Sequence, residues 1–507
     1  MPSTSSPTRV QSRVAVIGGG ISGLAAAHQL RKLDPTLDVT VYESASRLGG
    51  VIKTTEKDGF LIEGAADNFI TTSPTAIELC KDLGLGDELI QTNSGGGGAM
   101  VVSHGKLEPI PPGFMVMAPS RIWPILSTKI LSPMGKLRSG LELFVPRKKA
   151  EDDESLRSFI CRRFGKEMFE RLVQPLVGGI YTADPTRLSV AATMPRFLDM
   201  ERDHGSLIRG MMAGRRKKTP DAEGRGGARY SQFMTLRGGM SRLIETLGNS
   251  LPTDHVHLNS RIEKISKVAN GWSITHADGQ ETHADAVVMA APANHAGEML
   301  REVDAPMAQR LSDIEYASCA VVSLAFRRDQ IRTPINSFGF VVPHIENHMI
   351  LSCSFSSEKY AGRAPEGTVL MRVFIGGALQ AGLLRLPDSQ LTELAHWELA
   401  KLMDIEGEPV LRHITRQSHA MPQYHVGHKQ RIAEINERLS EHPTLSLAGS
   451  SLSGVGVPGC IESGQKAATR IVEALKKSSE NSRPTVSRRE DAVKTQWSVV
   501  DARGVAS

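Results

Sequence analysis

The chain has 507 residues, 40% of them hydrophobic, enough apolar side chain to fill two or three domains rather than one core. Sixty Lys and Arg against 55 Asp and Glu leave a mild positive balance, which gives no ground for a nucleic-acid partner. Five scattered cysteines, Cys80, Cys161, Cys319, Cys353 and Cys460, lack CxxC or metal-ligand spacing. They argue against a metal site and for a reducing compartment.

Residues 1–11 are rich in Ser, Thr and Pro and too polar for a secretory signal. The run VAVIGGGISGLAAAHQL (14–30) then predicts a buried strand, a glycine turn and an amphipathic helix, and VTVYE (39–43) a second strand ending in an acid. Gly18 allows the tight turn, Gly20 lets backbone approach a pyrophosphate, and Gly23 lets the helix pack on the strand. The free N–H groups and dipole at the helix start attract phosphate. Glu43, twenty residues past Gly23, is placed to accept hydrogen bonds from both ribose hydroxyls of an adenosine and would repel a 2′-phosphate, so NADP is not expected. Arg47-Leu48-Gly49-Gly50 follows, a second glycine pair similar to that of flavoproteins with two dinucleotide-binding motifs, and it favours FAD.

Segment 111–149 mixes Phe114, Met115, Met117, Ile130, Leu131, Met134, Leu137, Leu141, Leu143 and Phe144 with prolines and with Lys129, Lys136 and Arg138. Two readings are open: a membrane-interface surface, or a helical cap packed on its own domain. The basic stretch 214–229 reads as a solvated loop. DAVVMAAP (285–292) predicts a buried strand beside the dinucleotide. TLSLAGSSLSGVGVPGCIESGQKAA (444–468) repeats the order of strand, glycine loop and helix, and gives a second helix start facing the flavin end. From Lys476 onward the chain reads as a disordered tail. No run of about eighteen apolar residues is present to span a bilayer, so the protein is expected in the cytoplasm.

The ordered signatures LVQPLVGGIYTADPTRLS (172–189), LRGGM (236–240), SFGFVVP (337–343), FIGG (374–377), MPQYHVGH (421–428) and GVGVPGCIESG (454–464), added to the N-terminal turn, resemble those of the oxygen-dependent protoporphyrinogen oxidases over about residues 12–475. The resemblance implies a multidomain α/β (α+β) fold. A GxGxxG flavin domain of the p-hydroxybenzoate-hydroxylase type would comprise 12–87, 236–295 and 425–476. An interleaved substrate domain would comprise 88–110, 205–235 and 296–424. A helical, membrane-associating domain would span 111–204, with a disordered tail at 477–507.

Carried onto this chain, the implied FAD contacts are Gly18, Gly19, Gly20, Ile21, Ser22 and Gly23; Glu43, Ser44, Arg47, Gly49, Gly50 and Val51; Ala65, Ala66, Asp67 and Asn68; Ile262; and Ser450, Val455, Gly456 and Val457. The implied substrate walls are Leu176, Gly179, Phe338, Val341, Ser354 and Phe374. No catalytic side chain is implied, because flavin N5 is the reacting centre. His104, His419, His425 and His428 read as structural or exposed.

The implied reaction is oxidation of protoporphyrinogen IX to protoporphyrin IX in three two-electron rounds, with O2 as acceptor and H2O2 released. The implied partners are the tetrapyrrole, O2, the inner face of a membrane and ferrochelatase. One departure stands out. Relatives carry a propionate-pairing arginine where this chain has Ala99, leaving Lys106, His104 or another group to take its place. Coproporphyrinogen III is therefore an alternative substrate. The glycine motifs are also compatible with a flavin amine oxidase, a carotenoid desaturase, or a colourless binding protein resembling GDP-dissociation inhibitors.

Overall fold

A five-stranded parallel sheet builds the central layer of the computed structural model, which describes residues 11–93, 98–148, 152–216 and 233–481. The five strands are parallel in the order Val256–His257, Asp38–Tyr42, Arg13–Ile17, Ala286–Met289, Leu445–Leu447. The two central strands are covered on both faces, which is why VAVI and AVVM show no alternation. Val14 and Val16 pack with Leu24, Ala27, Val39 and Val41 and with Ile461 and Ala468 of the C-terminal helix Val457–Asn481. Ala15 and Ile17 pack the other way, against Trp272, Met289, Leu300 and Ile314. The buried indole N–H of Trp272 donates to Thr444 Oγ1 at 3.0 Å, so this face holds no orphaned donor there.

A second sheet of seven strands runs in the order Leu411–Pro422, Tyr316–Arg327, Thr368–Gly376, Ser352–Phe355, Gly339–Val341, Met100–Ser103, Lys106–Pro109. Here alternation is strict. Met371, Val373 and Ile375, with Val322 and Leu324, bury against Leu391, Ala395 and Leu399 of the helix Asp388–Met403. The intervening Arg372 and Phe374 face the opposite side. Gln417 crosses from this side to the first domain, its Nε2 donating to the Gly64 carbonyl at 3.0 Å.

The third layer is helical. Phe159, Phe164, Leu172, Leu176, Phe197 and Leu207 are fully or almost fully buried in it, together with Phe114, Met117, Ile125 and Ile130. Arg163 and Glu142, both inaccessible to solvent, form an ion pair at its centre. Glu142 also accepts from Ser206 Oγ at 2.5 Å and from the Leu207 amide at 2.8 Å. The helix Leu207–Arg216 thereby joins the helical layer and not the sheet, so 205–216 departs from the division expected from sequence. Gly214, Arg215 and Arg216 continue that helix where a loop was expected, because Leu207, Ile208 and Met211 supply a buried stripe that holds it; residues 217–229 of the basic stretch lie outside the described residues. Residues 477–481 of the expected tail instead extend the helix Val457–Asn481, and 482–507 lie outside the described residues.

The multidomain α/β fold expected from sequence is present. Among the described residues no helix is long and apolar enough to cross a membrane, and the five cysteines are free thiols.

Candidate functional site

The turn after the first strand depends on glycine at three places, each for a different reason. Gly18 has φ +110° and its N–H donates to the Tyr42 carbonyl at 2.8 Å, locking the two strands at their carboxyl ends. A Cβ on Gly23 would lie 1.9 Å from the Gly18 carbonyl oxygen, so the helix Ile21–Leu33 approaches the turn only because that atom is missing. A Cβ on Gly20 would meet nothing within 4 Å. This glycine leaves open space in front of a helix start that has no side-chain cap and no acid in its first turn. Free N–H donors facing open space at a strand's carboxyl end suit a pyrophosphate.

Glu43 closes one side of that space. It is 8% exposed; Oε2 accepts the Gly19 N–H at 2.7 Å, and Oε1 accepts the Ala45 N–H at 2.7 Å and the Ser44 hydroxyl at 3.3 Å. These bonds fix the carboxylate's orientation and leave Oε2 a further lone pair for a ribose hydroxyl. The second glycine loop docks on the first. Gly49 donates to the Gly19 carbonyl at 2.8 Å and forms a parallel bridge with Gly20, with φ +105° at Gly49 and +57° at Gly50. Arg47 spends its guanidinium on the Leu48, Ile52 and Gly50 carbonyls. Its role here is to brace the loop that presents Val51, which is exposed. Ile262 is buried, and the nearby Ser260 amide donates to the Glu43 carbonyl at 2.8 Å.

The C-terminal loop meets the same place. Gly464 in the helix Val457–Asn481 packs so closely on Ser22 that a Cβ there would lie 2.1 Å from the Ser22 carbonyl. The first turn of Ile21–Leu33 thus lies against the third turn of the C-terminal helix. Gly449 and Gly454 take positive φ, and the Ser450 carbonyl accepts the Tyr424 hydroxyl. Val455, half-buried, packs on the helical layer beside Gly456 and Val457. Open space in front of the helix start at Ile21, with a fixed carboxylate to one side, fits a dinucleotide pyrophosphate and its ribose.

The loop Ala65, Ala66, Asp67, Asn68 leads from this site to the seven-stranded sheet. Asp67 meets Lys359 Nζ at 2.9 Å and Arg372 at 3.2 Å, and Asn68 Nδ2 donates to Asp67 Oδ1 at 2.7 Å. Burial alone would raise the Asp67 pKa, but the two cations hold it below the ordinary carboxylate range. The Ala65 carbonyl accepts from Arg372.

The helix Gln174–Tyr181 packs on the strand Gly339–Val341 of the seven-stranded sheet. A Cβ on Gly179 would lie 3.6 Å from Val341 Cγ1 and 3.9 Å from Ser352 Oγ, so this helix faces the sheet at ordinary contact distance. Ser354 pairs with Gly339 on one side and Arg372 on the other, and Phe374 pairs with Ser352. Phe338 is buried, its N–H donating to the Gly98 carbonyl. Leu176 sits in the core of the helical layer.

The cations weighed as replacements for an arginine at position 99 are placed differently. Lys106 is exposed on the edge hairpin, and His104 contacts Arg171 at 3.3 Å and Ser103 at 3.1 Å. Sequence reasoning missed Arg372 and Lys359. The signal available was a lone arginine inside the otherwise apolar TVLMRVFIG.

The chain matches the family model described as flavin containing amine oxidoreductase over residues 21–472. It is 35% identical over 472 residues to coproporphyrinogen III oxidase of Bacillus subtilis (strain 168), a span of 92% of this chain and 99% of that one. It is 29% identical over 500 residues to protoporphyrinogen oxidase 2, chloroplastic/mitochondrial, of Arabidopsis thaliana, covering 93% and 96%. Among solved structures, one described as a protoporphyrinogen oxidase from Exiguobacterium sp. 255-15 superposes with a TM-score of 0.80 at 29% identity, covering 92% of this chain and 99% of that one.

Proposed function

The chain belongs to the flavin-containing amine oxidoreductase family, and from that premise we propose that it oxidises a porphyrinogen to the porphyrin with FAD as cofactor and O2 as final acceptor. We infer coproporphyrinogen III in preference to protoporphyrinogen IX. The higher identity to a coproporphyrinogen III oxidase over nearly the whole chain supports this order, as does a substrate-side sheet face bearing Ser352, Ser354 and Arg372. The observation that carries the reading is the docking of the two glycine loops on one another beside Glu43, with the C-terminal helix packed through Gly464 on Ser22.

When bound, FAD supplies the two-electron acceptor, taking a hydride from a methylene bridge and passing the electrons to O2. This chain's residues do the rest. Gly18 to Gly23, with the helix start at Ile21, would hold the pyrophosphate, Glu43 the ribose, and residues 454–457 the ring end. The sheet face around Phe374 and the helix around Gly179 would confine the tetrapyrrole against the ring and keep water out. Three rounds convert one porphyrinogen and three O2 into one porphyrin and three H2O2.

The test is direct. Purified protein should be yellow, should release free FAD on denaturation, and in air should turn coproporphyrinogen III into fluorescent porphyrin with three H2O2 formed per porphyrin. A colourless protein, or one that leaves both porphyrinogens untouched, refutes the reading.

A membrane surface is the second partner proposed. Trp123 and Phe144 are 80% and 78% exposed, and Ile122, Leu126, Met134, Leu137 and Leu141 are exposed in the same short segment beside Lys129 and Lys136. Apolar side chains with neighbouring cations suit an anionic lipid surface. Met134, Leu137, Leu141 and Phe144 are among the residues expected to face outward; others of that set do not. Phe114 and Met117 are buried in the helical core, so part of 111–149 is a packed cap and only its outer side chains are free for lipid.

A further inference from the structure

Arg372 sits at the centre of the strand Thr368–Gly376 with 1% of its surface exposed. Two of its three guanidinium nitrogens are used: one meets Asp67 at 3.2 Å and another donates to the Ala65 carbonyl. The guanidinium lies over the Phe374 ring, with Cζ 5.3 Å from the centroid. The third nitrogen, Nε, is buried and has no hydrogen-bond partner. Directly across the ladder stands Ser354, whose buried Oγ also has none. Buried donors are almost always satisfied, and an unpaired guanidinium N–H is among the more costly exceptions.

The local charge points to the missing partner. Arg372 and Lys359 share one carboxylate, Asp67, which leaves this corner one positive charge in excess. A guanidinium N–H and a hydroxyl on adjacent strands match the two oxygens of a carboxylate. Position 99, where a propionate-pairing arginine was expected, holds Ala99, and Lys106 lies on the exposed edge hairpin.

We propose that Arg372 Nε and Ser354 Oγ form a carboxylate subsite that receives a propionate of the substrate. This rests on the porphyrinogen reading above. The subsite lies beside Phe374, so the ring would stack near the aromatic wall while its side chain reaches the buried cation. Arg372 then has two roles, bracing the Ala65–Asp67 loop and binding the substrate carboxylate.

The experiment uses the flavin-loaded enzyme and compares binding of coproporphyrin III with binding of its tetramethyl ester, followed by porphyrin fluorescence. Ser354→Ala leaves the bonds from Arg372 to Ala65 and Asp67 untouched and is the cleaner probe; Arg372→Lys keeps the charge and loses the Nε donor. The free acid should bind several-fold more weakly to Ser354→Ala and about tenfold or more weakly to Arg372→Lys. The ester should bind all three proteins alike, and the KM for coproporphyrinogen III should rise in parallel with kcat little changed. Variants that bind acid and ester as the parent does overturn the subsite. Loss or spectral change of the flavin with unchanged acid-over-ester preference also overturns it, because these groups would then serve the cofactor. A parent enzyme that binds coproporphyrin III without oxidising its reduced form refutes the proposed function and leaves the subsite to be decided by the binding comparison.

Discussion

Glu43 is held by backbone amides of both the loop it belongs to and the glycine turn it faces, so its carboxylate is aimed before any ligand arrives. Glu43→Ala should therefore fold and lose part of its FAD on gel filtration. Glu43→Arg, which places a cation among the Gly19 and Ala45 N–H donors, should retain none. Equal flavin content in both variants and the parent would remove Glu43 from the site. His428 carries a pH prediction. Burial, with Arg431 and His425 adding to it, lowers its pKa from 6.5 to about 4, and its ring stacks on Tyr424 at 4.2 Å. The folded state thus favours neutral His428, and the stability this gives is complete above pH 6.5 and is lost as pH falls from 6.5 towards 4. The loss is worth about 3 kcal/mol at most. His428→Phe keeps the stack and has no proton to bind, so its urea midpoint should fall less than the parent's over that range; parallel curves would contradict the assignment.

At the scale of elements, legibility followed the strength of local chemical grammar. The glycine turns were readable because steric need is local: Gly18 and Gly23 touch within five residues of one another. The pairing of Arg372 with Asp67 was not readable, because Arg372 lies on the seven-stranded sheet and Asp67 on a distant loop, and they meet only through the fold. The 111–149 segment falls between these cases. Its composition announced an unusual surface, but which apolar residues turn inward depends on the helices beneath, and Phe114 and Met117 proved to be core. Replacing Trp123, Leu137 and Phe144 together with serine should abolish sedimentation with anionic liposomes while leaving flavin content intact. Binding that persists in the triple variant would refute the lipid surface.

In the whole molecule, the cofactor site we propose draws on residues near 18–50, 65–68, 262 and 450–457, with the seven-stranded sheet and the helical layer inserted between them in sequence. That interleaving was expected from three separated strand signals, and the parallel order of the first sheet bears out the part of the fold those signals describe. The packing of Leu207–Arg216 into the helical layer was not legible, since it depends on the buried Glu142 reaching across to Ser206 and Leu207. The substrate slot we propose beside the helix Gln174–Tyr181 makes a whole-molecule prediction. Gly179→Leu extends a side chain beyond the 3.6 Å contact with Val341 and should raise the KM for porphyrinogen several-fold with a normal flavin spectrum. An unchanged KM would place the substrate elsewhere.

The central claim is that this slot presents a porphyrinogen to a flavin held by the two glycine loops. Mixing the yellow enzyme anaerobically with coproporphyrinogen III tests it most directly. The account predicts rapid bleaching of the flavin absorption, followed by recovery of the yellow colour and appearance of porphyrin fluorescence when air is admitted. Flavin that stays oxidised in the presence of coproporphyrinogen III and of protoporphyrinogen IX would contradict it.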